Sequence, residues 1–273
     1  MIEFIQALTE FTFLQHAIIA CLLASISCGV IGSYVVVKQI SFLSGGIAHS
    51  VLAGMGAAYF FGASPILGAI IAALLSGVLI GWINLRWKEH EDILIAAFWS
   101  AGMAIGILFL SRTPGYNIDL MSYLFGNILL ITAKDLWLMF SLDLLVIGVV
   151  MVFYKHFLLS VFDEEFARLR GINTELFYIV LLCLISISIV ILIQLVGLIM
   201  VIALLTLPAA TANQYVTSLY KMFFLSSIIC AVISITGVAI SYGPDLPTGS
   251  VIVLLSCVTY FASVFLKRVL RNR

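Results

Sequence analysis

The sequence predicts an all-α fold, a polytopic transmembrane helical bundle of about nine spans (eight or nine), with the amino terminus outside and the carboxyl terminus cytoplasmic. Three observations carry this prediction. Of the 273 residues, 63% are hydrophobic and only 10% charged, whereas an ordinary soluble domain has about 25% charged residues. Apolar stretches recur at the length needed to cross hydrocarbon. Nearly all basic residues fall on alternate connections. A soluble fold and a disordered chain are excluded. So is a nucleic-acid binder, because 13 Lys and Arg balance 13 Asp and Glu and leave no net field to attract phosphate.

A membrane helix needs about 20 mainly apolar residues. Nine segments qualify: 13–37, 44–62, 64–85, 92–110, 135–155, 174–194, 195–214, 218–241 and 248–267. The connections between the second and third, and between the sixth and seventh, are very short. The stretch 120–131 is apolar but too short to cross, which predicts a re-entrant or interfacial piece.

Direction follows from the positive-inside rule. With the amino terminus outside, Lys38, Arg86, Lys88, Lys155, Arg168, Arg170, Lys221, Lys267, Arg268, Arg271 and Arg273 are all cytoplasmic, leaving only Arg112 and Lys134 outside. Residues 1–13 carry Glu3 and Glu10 and no basic residue, so they lack the charged start of a cleaved signal peptide. Cys21, Cys28, Cys183, Cys230 and Cys257 lie in apolar runs without CxxC spacing, as small packing residues do.

Between the fifth and sixth segments the chain turns polar. Phe162, Phe166 and Leu169 are spaced by four and three and share a helical face. Asp163 is placed to cap a helix start, with Glu164 and Glu165 at the positive end of its dipole. Arg168 and Arg170 stand near the negative end, and Gly171 is a natural stop. A helix of about two turns is unstable alone in water, so it rests on something. One reading lays it on the bilayer surface. The other docks it in a groove on a cytoplasmic partner, and Glu164 and Glu165 favour this because an anionic membrane repels them.

The chain has no GxxxxGK[ST] phosphate loop, no GxSxG elbow and no HExxH. It therefore reads as a non-enzyme, and active transport would draw its energy from another subunit or an ion gradient. Ionisable groups at membrane depth are costly and face cavities or partners. His49 is one of them, with Gly45, Gly46, Ala53 and Gly56 on its helical face. Such a bare face admits a neighbouring helix or a passing ion, and neutral imidazole binds first-row metals. Asp143, in the fifth segment, is a second ligand, a proton carrier, or a carboxylate satisfied by a polar neighbour. Asp119, Asp135 and Asp245 fall in outer loops, where carboxylates attract cations or are simply solvated.

Four stretches, in order, resemble the permease subunits of bacterial ABC importers for zinc, manganese and iron. They are 34–50, YVVVKQISFLSGGIAHS; 119–127, DLMSYLFGN; VGLI at 196–199 leading to LPAATA at 207–212; and 245–249, DLPTG. The resemblance covers nearly the whole chain and is greatest to the zinc-uptake permeases. It implies a single permease domain over 1–273 in the bacterial plasma (inner) membrane, paired with a second copy of itself. It also implies cytoplasmic ABC ATPase subunits and an extracytoplasmic metal-binding protein. The helix near 162–172 becomes the coupling helix, with Asp163, Glu164, Glu165, Phe166, Arg168 and Gly171 meeting the ATPase. His49 lines the metal path, with Asp143 and Asp119 as further candidates. No cofactor is held permanently; the transported ion is the cargo.

Many members of the family have Asp four residues before this histidine, where Gly45 stands here. Fewer oxygen ligands tilt the expectation toward Zn2+, which accepts nitrogen well, with Mn2+ or Fe2+ as alternatives. The expected mechanism is alternating access driven by ATP on separate subunits. A gradient-driven metal carrier is the competing class.

Overall fold

The computed structural model describes residues 7–8, 10–87, 91–113, 126, 128–198, 200–244 and 246–271. Asp119, Asp245, Asn127 and Lys88 lie outside the described residues, and so does most of 120–131. Eleven helices follow one another there: α1 Thr12–Lys38, α2 Ser41–Phe60, α3 Pro65–Arg86, α4 Glu91–Ser111, α5 Ala133–Val152, α6 Tyr154–Phe162, α7 Glu164–Leu169, α8 Thr174–Val196, α9 Val201–Ala212, α10 Leu219–Tyr242 and α11 Thr248–Arg271. A 3-10 turn at Ile128–Leu130 precedes α5. No strand occurs among the described residues.

Seven of these helices, namely α1, α3, α4, α5, α8, α10 and α11, are long and apolar enough to cross a membrane. This is fewer than the nine expected, and two segments account for the difference. Segment 44–62 folds as the 20-residue helix α2. Its serines, glycines and histidine dilute its apolar character, and most of its first four turns are buried in protein. Segment 195–214 does not continue as one helix. Gly197 takes φ 80°, a left-handed conformation that ends α8 at Val196. The resumed helix α9 has 12 residues. At 1.5 Å per residue it is about 18 Å long, short of the roughly 30 Å hydrocarbon core.

The chain divides into two compact units. The first comprises 1–36, 121–144 and 191–273. Within it α9, α10 and α11 pack on one another. Helix α1 joins them through small residues. Gly32 meets the Leu205 carbonyl and Gly29 meets Ser227 so closely that a Cβ at either would collide. The Cys28 thiol donates to the Leu204 carbonyl at 2.7 Å, and the Ser226 hydroxyl donates to the Gly29 carbonyl at 2.9 Å. Close backbone approach with hydroxyl bridging is how helices associate where lipid removes the hydrophobic drive.

The second unit comprises 37–120 and 145–190. Here α2 is held between α3 and α4. Gly54 and Gly68 bring the α2 and α3 backbones together, and Gly56 and Gly106 do the same for α2 and α4. Ser50 donates to Ser76 at 2.7 Å across the α2–α3 contact. Helix α3 packs in turn on α8, where Gly77 meets Ser186 and Asn84 donates to the Tyr178 hydroxyl at 2.7 Å.

Candidate functional site

His49 lies on the third turn of α2, where the small residues foreseen on its face bring α3 and α4 against the helix. The residue is only 6% exposed. Its ring stacks on Trp99 of α4, with centroids 4.0 Å apart and planes 11° from parallel. The Trp99 indole N–H is directed to Met103 Sδ at 3.2 Å. His49 Nδ1 is buried without a hydrogen-bond partner. A stack of this kind contributes about 0.5–1.5 kcal/mol, whereas an unsatisfied buried polar atom costs about 1–3 kcal/mol. Metal binding is one use for an imidazole nitrogen without a partner.

Trp99 was not singled out from the sequence. An aromatic residue in an apolar span reads as ordinary filler, and only the packing of α2 on α4 brings it to His49.

Asp143 belongs to the first unit, on α5, and is 2% exposed. Neither carboxylate oxygen has a hydrogen-bond partner. Ser27 of α1 is its polar neighbour, but the two do not meet hydrogen-bond geometry. Among the described residues, no three His, Cys, Asp or Glu side chains gather to hold a metal. Asp135 caps α5 instead, accepting from the Thr132 backbone N–H at 3.0 Å and from its hydroxyl at 2.6 Å.

Helix α7 forms where the polar stretch placed it, but more compactly. Asp163 Oδ1 accepts from the Phe166 N–H at 2.9 Å, and Arg168 Nη2 pairs with Glu164 Oε1 at 2.8 Å, one turn apart. The C-terminus closes as a Schellman motif. Gly171, at φ 76°, donates to Arg168 O, and Ile172 donates to Ala167 O, each at 3.0 Å. Phe162 is the last residue of α6 rather than part of α7. Ala167 is the residue α7 buries; Phe162, Phe166 and Leu169 are exposed, Leu169 at 86%. The apolar residues expected to rest on something face outward.

Seven lipid-length helices and a buried imidazole among close-packed small residues define a multi-pass integral membrane protein with polar groups at membrane depth. A model of the ABC 3 transport family matches residues 10–267, and the chain belongs to that family. It is 40% identical over 259 residues to the "Probable metal transport system membrane protein" of Chlamydia pneumoniae, covering 92% of this chain and 87% of that one. It is 33% identical over 262 residues to the manganese transport system membrane protein MntC of Halalkalibacterium halodurans, covering 96% and 89%. The solved structure of PsaBC from Streptococcus pneumoniae in complex with Fab matches with a TM-score of 0.88 at 32% identity, covering 96% of this chain and 95% of that one. The protein resides in the bacterial plasma membrane.

Proposed function

We propose that this chain is the permease subunit of an ATP-driven importer for a divalent transition-metal ion, with manganese ranked ahead of zinc. The observation that carries this reading is the family match over 10–267 together with a relative named for manganese along nearly the full chain. The order of metals reverses the one drawn from Gly45. One position on one helix does not set a metal, because the remaining ligands come from other elements.

In this reading residues 1–273 act as one permease domain, with the amino terminus outside and the carboxyl terminus cytoplasmic; this sidedness requires that α2 and the broken segment 195–214 also traverse the membrane, shielded within the protein as interrupted helices are. The permease pairs with a second copy, receives its ion from an extracytoplasmic binding protein, and leaves ATP hydrolysis to cytoplasmic subunits. The ion passes His49, whose Nδ1 has no competing partner. Asp143 is a second polar station in the other unit, and Asp119 an outer one. The exposed Phe166 and Leu169, with Asp163, Glu164, Glu165, Arg168 and Gly171, form the end of α7 on which the ATPase pushes.

The test is uptake in proteoliposomes holding the permease, its ATPase and the binding protein. Radiolabelled Mn2+ should accumulate only with ATP inside, Zn2+ should compete more weakly, and His49→Ala should abolish uptake. Accumulation by permease alone under an imposed ion gradient would make it a carrier instead.

A further inference from the structure

A cavity of about 410 Å³ opens within the second unit, between the α1–α2 turn and the base of α7. It is the size of a small-molecule site. Lys38 and Asn84 line it, with Ser160, Glu164, Phe157 and Leu181. Lys38 is the last residue of α1, and the chain reverses at Gln39, a non-glycine residue held at φ 60°. This turn delivers the ammonium to the cavity wall.

The ammonium has three donors and makes one hydrogen bond, to the Ser160 carbonyl at 3.3 Å. No carboxylate among the described residues comes within ion-pairing distance of it. Glu164, the acid in the lining, is already paired with Arg168 at 2.8 Å and accepts from the Thr174 hydroxyl at 3.4 Å. The charge left uncompensated in the cavity is therefore positive. Ser160 is only 7% exposed, and its hydroxyl is buried with no hydrogen-bond partner. Ser160 belongs to the cavity lining, so this unpartnered hydroxyl lies at the cavity wall. A half-paired ammonium and a free hydroxyl beside apolar Phe157 and Leu181 match a phosphate on an apolar stem better than they match a cation.

We propose that this cavity binds an anionic phosphate group, carried by a membrane phospholipid headgroup or free in solution, with Lys38 as its charge partner. Basic pockets among membrane helices take anionic headgroups in this way. The bound phosphate ties the α1–α2 turn to α6 and lies beside Glu164, the first residue of α7. Its effect on coupling rests on the function proposed above; its binding does not.

The experiment uses the full-length protein in a neutral detergent. It is titrated with phosphatidylglycerol and separately with inorganic phosphate, and binding is read by native mass spectrometry and by thermal midpoint. Saturable binding is expected, weakened about tenfold in Lys38→Gln and unchanged in Lys155→Gln, an exposed lysine on α6 outside the cavity. Saturation by phosphatidylglycerol alone assigns the lipid as source; equal competition by inorganic phosphate assigns the free anion. Ser160→Leu, which fills the cavity and keeps the lysine, should lose binding as well and serves if Lys38→Gln does not fold. Absence of saturable binding by either probe overturns the proposal, as does unchanged binding in either cavity variant. A transport failure that leaves phosphate binding intact counts against the proposed function and not against this site.

Discussion

His49 and Trp99 stack face to face, 4.0 Å between ring centroids, across the α2–α4 contact. The stack fixes the imidazole plane, and the glycines of α2 set the depth at which it sits. Replacing Trp99 by Leu removes the aromatic face but keeps apolar volume. The expected result is a metal KM raised several-fold with the protein still folded, measured by uptake in proteoliposomes. Unchanged KM would mean that the indole does not orient the histidine.

Helix packing should be sensitive to single carbon atoms. A Cβ at Gly102 would sit 2.5 Å from Ser50 Cα, whereas one at Gly148 meets nothing within 4 Å. Gly102→Val should lower stability by about 1–3 kcal/mol through overpacking. Gly148→Ala should leave the midpoint level or slightly higher, because Ala favours helix. Thermal unfolding in detergent checks both.

Asp143 holds two buried oxygens without donors. Asp143→Asn removes the ionisable group at nearly constant volume, so the thermal midpoint should not fall. A clear fall would mean that the carboxylate is holding a cation or other partner in the native protein. The same variant, assayed for uptake, tests whether Asp143 stands in the ion's path.

The ends of α7 act separately from its face. Asp163→Ala deletes the cap and should cost about 1 kcal/mol of local helix stability, seen as faster amide exchange at Phe166. Leu169→Asp changes a side chain that is 86% exposed, so the fold should survive while ATPase co-purification drops. Charge reversal at Glu164 and Glu165 should weaken the same association.

Sidedness follows from accessibility. A single Leu169→Cys in a background whose five native cysteines are replaced should react with an impermeant maleimide only from the cytoplasmic side. Labelling in intact cells would invert the orientation.

The amino-acid sequence by itself determined that this is an all-helical membrane protein, and it marked most of the long helices. Their lengths and apolar composition are local properties that any window of about 20 residues reveals. It also marked α7, because caps and stop residues act within one turn: Asp163 caps and Gly171 stops the helix as their positions implied, whereas the Glu164–Arg168 pair was not foreseen. Tertiary structure alone decided the rest. Gly197 ends α8 and leaves α9 a 12-residue helix, shorter than a lipid-length span by itself, which periodicity in a uniformly apolar run does not reveal. Whether α2 is a lipid-facing span or a buried one depends on α3 and α4, and so does the placing of Trp99 against His49. The Lys38 cavity is built from five helices and a turn drawn from distant parts of the chain. Contacts between distant segments depend on the shapes of both partners, and no local pattern in either segment carries that information.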